Sequence, residues 1–138
     1  MKFISKNKDI KCGGEHGSVT AAFLFQKGEI MVTEMFCMNV RAVGSDDGMN
    51  TYEIHRKWAE KGKKSLVIEL YPTLTADRCG SMDVSTMHLL NHVQELGWSE
   101  VRIVNLYSKV FSEKPTVNQL TDNDNNLSYI LKLIGRLF

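Results

Sequence analysis

A chain of 138 residues, 43% hydrophobic and 24% charged, can bury a core of its own; this excludes wholesale disorder and predicts a single domain over 1–138. Its net charge of +1 shows no basic excess of the kind that phosphate-backbone binders carry, so nucleic acid is weakly supported as a partner, and Lys61-Gly62-Lys63-Lys64 and Lys6-Asn7-Lys8 read as solvated loops. No apolar run nears the roughly 18 residues of a membrane span, Met1 to Lys6 lacks a secretory apolar core, and Cys12, Cys37 and Cys79 form no CxxC pair; a cytoplasmic protein with reduced thiols, no membrane association and no structural zinc is expected.

In chain order, Cys12-Gly13-Gly14-Glu15-His16-Gly17 is a glycine loop without a GxGxxG or Walker pattern, hence a turn into the first strand rather than a phosphate cradle. Ser18 to Phe25 and Ile30 to Val40 are rich in β-branched and aromatic residues around the short polar turn Gln26-Lys27-Gly28-Glu29, and predict an N-terminal β-hairpin. Val43 to Asn50 is a polar loop; Asp46 and Asp47 lack the remaining spacing of a calcium loop. Tyr52 to Glu60 is ambiguous: Asn50 or Thr51 could cap a helix, Ile54 and Trp58 share a helical face, and Gly62 could end it.

Ser65-Leu66-Val67-Ile68-Glu69-Leu70 is nearly all apolar, as in a strand buried on both faces of a parallel sheet, and Pro72 stops it. Val84 to Gly97 has helical periodicity, with Met87, Leu90 and Val93 on one face, Asp83 as N-cap and Gly97 as terminator. Val101 to Tyr107 is a second buried strand, so residues 66–107 read as a βαβ unit whose crossover is expected to be right-handed. Asp122 to Asn126 is a breaker, and Leu127 to Phe138 is an amphipathic helix. Leu127, Ile130, Leu131, Leu133, Ile134, Leu137 and Phe138 form its apolar stripe, which should dock on the sheet. The expected fold class is α/β: one sheet with a central parallel βαβ unit, an N-terminal β-hairpin and a C-terminal amphipathic helix.

In open α/β sheets ligands bind beyond the carboxyl ends of the strands. Two segments reach that edge, Tyr71 to Asp83 and the strand tip at Asn105. The first carries Thr73, Thr75, Asp77, Ser81 and Asp83, a dense set of hydrogen-bonding side chains, with the amides that open the next helix adding partial positive charge. The bland alternatives are a helix cap for Asp83, an ordinary turn for Asp77 and a loop contact for Asn105. His88 and His92 stand four apart on a helix but off its apolar stripe, and read as surface residues. His55, beside Arg56, could approach the site, and His16 lies in the glycine loop; neither has an orienting partner. Cys79 next to Arg78 has the positive neighbour a reactive thiol needs, though a structural thiol is the simpler reading. Asn126-Leu127-Ser128 matches a glycosylation acceptor by letter alone.

Residues 50–130 resemble the bacterial and phage proteins grouped as domain of unknown function 1643. That family carries a strand ending in Leu-Asn-Pro-Ser-Thr-Ala-Asp, an Asp-Pro-Thr cluster opening a helix, a Gly-Trp or Gly-Tyr, and a strand reading Val-Asn-Leu-Phe. Here the matching stretches are Leu70-Tyr71-Pro72-Thr73-Leu74-Thr75-Ala76-Asp77, Asp83-Val84-Ser85-Thr86, Gly97-Trp98 and Val104-Asn105-Leu106-Tyr107. Tyr52, Arg56 and Trp58 look like the family's Tyr-x-Leu-x-Arg-x-Trp segment, and Asn125 or Asn126 is similar to its later Asn. The chain departs from the pattern in carrying Tyr71 for the Asn before Pro, one inserted residue near Leu74 and no Pro in the Asp-Pro-Thr cluster, so the resemblance implies a divergent member that lacks one amide at the presumed site. Family members also continue into a further strand after the last helix, whereas this chain stops at Phe138. The resemblance brings no assigned activity, and the cofactor is unknown; the family's strand-end loop is faintly similar to the first motif of uracil-DNA-glycosylase-like folds.

Three functions fit these residues. The first is binding or hydrolysis of a nucleotide or nucleobase-like small molecule, with Asp77 and Asp83 as catalytic carboxylates and Tyr71, Thr73, Thr75, Thr86, Asn105 and Arg56 contacting the ligand. The second is a non-enzymatic, phage-type interaction protein that binds a host protein. The third is a nucleic-acid-acting enzyme of glycosylase-like fold. The oligomeric state is open, a homodimer included.

Overall fold

The computed structural model describes residues 19–24, 30–121 and 123–137, with side chains from residue 36 onward. Strands β1 (Val19–Leu24) and β2 (Ile30–Met35) pair antiparallel, Val19 opposite Met35 and Leu24 opposite Ile30, forming the expected hairpin. Its second arm is shorter than the sequence suggests: β2 ends at Met35 and a new strand begins at Asn39. The glycine loop at 12–17 and the turn at 26–29 lie outside the described residues. Chain contacts separate the segment up to Cys37 from a second unit, Met38–Phe138.

The second unit is built on β3 (Asn39–Gly44), β4 (Thr51–Lys57), β5 (Lys63–Glu69) and β6 (Trp98–Asn105), in the spatial order β3-β4-β6-β5. β5 and β6 run parallel and the other neighbours antiparallel, so the βαβ unit is joined to an antiparallel meander edge. The ambiguous segment after Asn50 is therefore a strand and not a capped helix. Ile54 and Trp58 satisfy a helical spacing, but pairing on both flanks, with β3 and β6, buries β4 and overrides that local signal. Gly62 ends no helix; it turns the chain into β5 with φ of 141°, where a Cβ would stand 2.8 Å from that of Ser99.

β5 corrects a second expectation. It is an edge strand, and Ile68 and Leu70 are exposed. The strand buried on both faces is β6, through Val101, Ile103 and Val104. The crossover helix breaks at His92 into α1 (Val84–Asn91) and α2 (Val93–Leu96), and Gly97 closes it with φ of 66°. Its inner row is Thr86, Leu89, Leu90 and Val93, at i, i+3, i+4 and i+7; Met87, expected in the stripe, is exposed.

The last helix, α3 (Asp124–Leu137), starts one turn before the expected Leu127. Asn126, Ile130 and Leu133 are its buried row, and Ile130 and Leu133 pack on Val104 with Leu66, Ile134 and Leu137 around them, as the docking expectation required. Leu127 and Leu131, counted in the sequence stripe, are exposed. Phe138 lies outside the described residues.

Side chains alternate between sheet faces, so pairing registers assign every strand residue a side. Val104, its partner Glu53 and Leu66 face α3. Ile54, Arg56, Val101, Ile103, Asn105 and Glu69 face the other way, toward the 71–83 connection. Register slips between Val43 and Gly44, leaving Tyr52 as the extra residue on β4. The slip explains how Tyr52 reaches Tyr129 of α3, ring centroids 6.2 Å apart, while Thr51 stays on the connection side and donates to the Leu74 carbonyl at 2.8 Å.

Candidate functional site at the strand ends

The connection after β5 is pinned from beneath by a buried cation. Arg56 is fully buried, and its Nη2 donates to the carbonyls of Cys79 at 3.0 Å and Ser81 at 2.7 Å. Burial pulls its guanidinium below the ordinary arginine value, against the favourable fields of Cys79 and Asp83. Nε and Nη1 of Arg56 are buried with no hydrogen-bond partner among the described residues.

Asp83 opens α1. One carboxylate oxygen accepts from the Thr86 amide at 2.8 Å and the other from the Thr73 hydroxyl at 2.7 Å. Burial pushes Asp83 toward the protonated form. The Thr86 and Thr73 hydrogen bonds, aided by Arg56, prevail and hold it below the usual carboxylate range. Glu69, at the end of β5, behaves oppositely: burial and the nearby Asp83 charge raise it. Two neighbouring carboxylates are thus driven apart, one held ionised and one biased toward carrying a proton.

Asn105 lies beside Glu69 by register at the tip of β6. It is 2% exposed, and its side-chain oxygen has no hydrogen-bond partner among the described residues. Its backbone carbonyl is held by Asn126, whose amide donates to the carbonyls of Asn105 at 2.8 Å and Leu106 at 2.9 Å. Asn123 caps α3 through the amides of Asn125 and Asn126 and reaches Ser108, which in turn donates to Asn50. Backbone bonds from Leu106 to Glu69 and from Tyr107 to Leu70 tie the two strand exits together.

Of the residues singled out in the sequence, Thr73, Asp83 and Thr86 thus form one bonded group; Arg56 bonds the Cys79 and Ser81 carbonyls of the same connection and reaches Asp83 only through its charge, and Asn105 adjoins through Glu69. Tyr71 is half-buried against Phe111, edge to face at 5.8 Å. Thr75 starts the short 3-10 turn Ala76–Arg78 without a side-chain cap bond. Asp77, on that turn, is exposed and takes no part in the bonds above. The turn sits hard against β3, since a Cβ on Gly44 would fall 2.7 Å from that of Ala76.

Sequence reasoning passed over Glu69. The available signal was a single acid at the end of an otherwise apolar strand, opposite Asn105. His55 and His92 also resolve. His55 faces Glu100 at 3.7 Å on the α3 side of the sheet, away from the site, and His92 pairs with Glu95 on the surface. On that same side Glu53, fully buried, accepts from Arg102 at 2.7 Å and from the Tyr129 hydroxyl. Among the described residues no three His, Cys, Asp or Glu side chains gather as a metal site needs, and no helix is long and apolar enough to cross a membrane.

Fold and cluster together define a small α/β protein with a polar group gathered where a parallel strand pair ends. A model of the family described as Protein of unknown function (DUF1643) matches residues 51–136, and the chain belongs to that family. No curated protein and no solved structure matches it. The matched range runs from β4 through α3 and contains every residue of the cluster. Two of the motif tryptophans meet inside it, with Trp58 Nε1 donating to the Trp98 carbonyl at 2.9 Å, which assigns that part of the pattern to holding β4 against β6.

Proposed function

We propose that the strand-end cluster binds, and is equipped to hydrolyse, a nucleotide or nucleobase-like small molecule. The observation that carries this reading is the buried Asn105 side-chain oxygen without a partner. A desolvated polar group left unpaired costs about 1–3 kcal/mol, a cost that a ligand N–H would relieve. The spare Nε and Nη1 donors of Arg56 add the opposite polarity, suited to a ring carbonyl or a carboxylate.

In this reading Glu69 is the proton carrier, raised by its burial and then by the fixed charge of Asp83, with Thr73 and Thr86 orienting Asp83. Glu69 takes the role of second carboxylate ahead of Asp77, which is exposed. Tyr71, in place of the family's amide, offers a ring edge beside the site and one hydrogen-bonding group fewer.

Thermal-shift titration with nucleobases, nucleosides and nucleotides tests the proposal. A true ligand at one hundred times its dissociation constant stabilises by about 2.7 kcal/mol. Asn105→Ala should abolish that shift while the variant remains folded. No stabilisation by any of the three classes, or a shift that survives Asn105→Ala, would remove the reading. Hydrolysis is then followed by product chromatography with Glu69→Gln, which should bind and not turn over.

A further inference from the structure

We infer that β5 is a dimerisation edge: two copies of the chain pair this strand antiparallel about a two-fold axis at Leu66, joining two four-stranded sheets into one. The inference shares Glu69 with the ligand reading but rests on strand pairing, and Ile68→Lys tests it without touching that site.

Among the described residues β5 has a strand on one flank only. Its residues alternate in which flank their backbone serves. The Lys63 amide donates inward to Gly97 and the Glu69 carbonyl accepts from Leu106 of the β6 exit. With Lys63 and Glu69 turned inward, Lys64, Leu66 and Ile68 turn their N–H and C=O groups outward. A two-fold centred on Leu66 sets Leu66 against itself and Lys64 against Ile68 of the other copy. Each opposed pair then consists of outward-turned residues, the condition for exchanging both backbone bonds.

The same register puts Lys63 opposite Glu69 of the second copy, twice by symmetry. Direct cross-strand ion pairs stabilise and like charges destabilise, so the strand Lys63-Lys64-Ser65-Leu66-Val67-Ile68-Glu69 is complementary to itself in charge.

Apolar surface agrees. Ile68 is 53% exposed on the α3 side of β5. At 100° per residue, α3 places Tyr129 on the flank that overlies Glu53 of β4. Leu127 and Ile134 fall on the opposite flank, where Ile134 joins Leu66 of β5 around the core cluster and Leu127 is 54% exposed. A two-fold at Leu66 carries this flank of α3 toward its own copy.

Sedimentation or light scattering over a concentration series reads the mass. The wild type should have twice the chain mass. Lys63→Glu and Glu69→Lys should each weaken the dimer at least ~tenfold, since each sets like charges face to face at both pairs. An equimolar mixture of the two variants should regain the dimer, because the heterodimer restores opposite charges at both positions. Ile68→Lys, at an exposed position, should also dissociate it with an unchanged circular-dichroism spectrum, and gives the answer if the charge variants fold poorly. A wild type that stays monomeric at every concentration, a dimer indifferent to Ile68→Lys, or folded charge variants whose mixture behaves as either alone would overturn the inference.

Discussion

Replacing Asn126 should cost the molecule more than any other polar substitution on α3. The side chain is fully buried and its amide serves two carbonyls, of Asn105 at 2.8 Å and Leu106 at 2.9 Å, so it fastens the helix start to the tip of β6. Asn126→Ala strands one buried and one half-buried carbonyl. At about 1–3 kcal/mol for the first and about 1 kcal/mol for the second, the loss is about 2–4 kcal/mol. For a domain of this size that lowers Tm by roughly 6–14 °C. Asn126→Asp conserves volume, removes both donated bonds and places a carboxylate against two carbonyl oxygens, so it should be the worse variant at neutral pH. Urea denaturation of the three proteins at pH 7 measures the order. A loss below about 0.5 kcal/mol for Asn126→Ala, within the scatter of ordinary surface substitutions, or an Asp variant as stable as the Ala variant, would refute the assigned role.

The remaining predictions concern single contacts. Tyr129→Phe removes a bond donated to the buried Glu53 carboxylate and should cost about 1.5–3 kcal/mol by chemical denaturation. Burial and Glu53 push the Tyr129 hydroxyl up to about 12. A raised folded value means the stabilisation is whole below pH 10 and lost as pH climbs toward 12; a Phe variant should lack this alkaline loss in a pH series of melts. Asp83 is held below its ordinary 3.8, so its contribution is present above that pH and lost on acidification. Asp83→Asn, which still caps, should flatten the acid limb, whereas Asp83→Ala should additionally cost about 1 kcal/mol for the cap. Gly44→Ala drives a methyl to within 2.7 Å of both Ala76 Cβ and the Asn50 carbonyl, and should destabilise by about 1–3 kcal/mol; a neutral result would show that the 3-10 turn can retreat.

Much of this architecture was readable from local pattern. Asp83 and Gly97 bound the crossover helix because a side-chain acceptor and a left-handed terminator announce themselves in sequence. The parallel pair followed from two apolar runs around that helix. What could not be read was pairing order. Whether Ser65–Leu70 is central or peripheral depends on which strand lies beside it, and hydropathy alone does not carry that; β6 took the centre and β5 the edge. β4 was hidden for the same reason, since Ile54 and Trp58 fit two periods and only its neighbours choose. At the site, Asp83, Thr73 and Arg56 were visible as types, but their junction was not. Glu69 escaped notice because an acid at a strand end looks like a solvated terminus until register sets it beside Asn105. Family resemblance left Asn125 and Asn126 equal; burial separates them, with Asn126 inside and Asn125 exposed.

A ligand at the polar group where β5 and β6 end is what the proposed function requires. Amide-detected NMR of the labelled protein, titrated with a nucleoside panel, asks this at individual atoms. Saturable shifts should concentrate on the Asn105 side-chain amide, Glu69, Leu106 and the Gly80–Thr86 segment. Shifts confined to the α3 side of the sheet around His55 and Arg102, or none at any concentration, would contradict it.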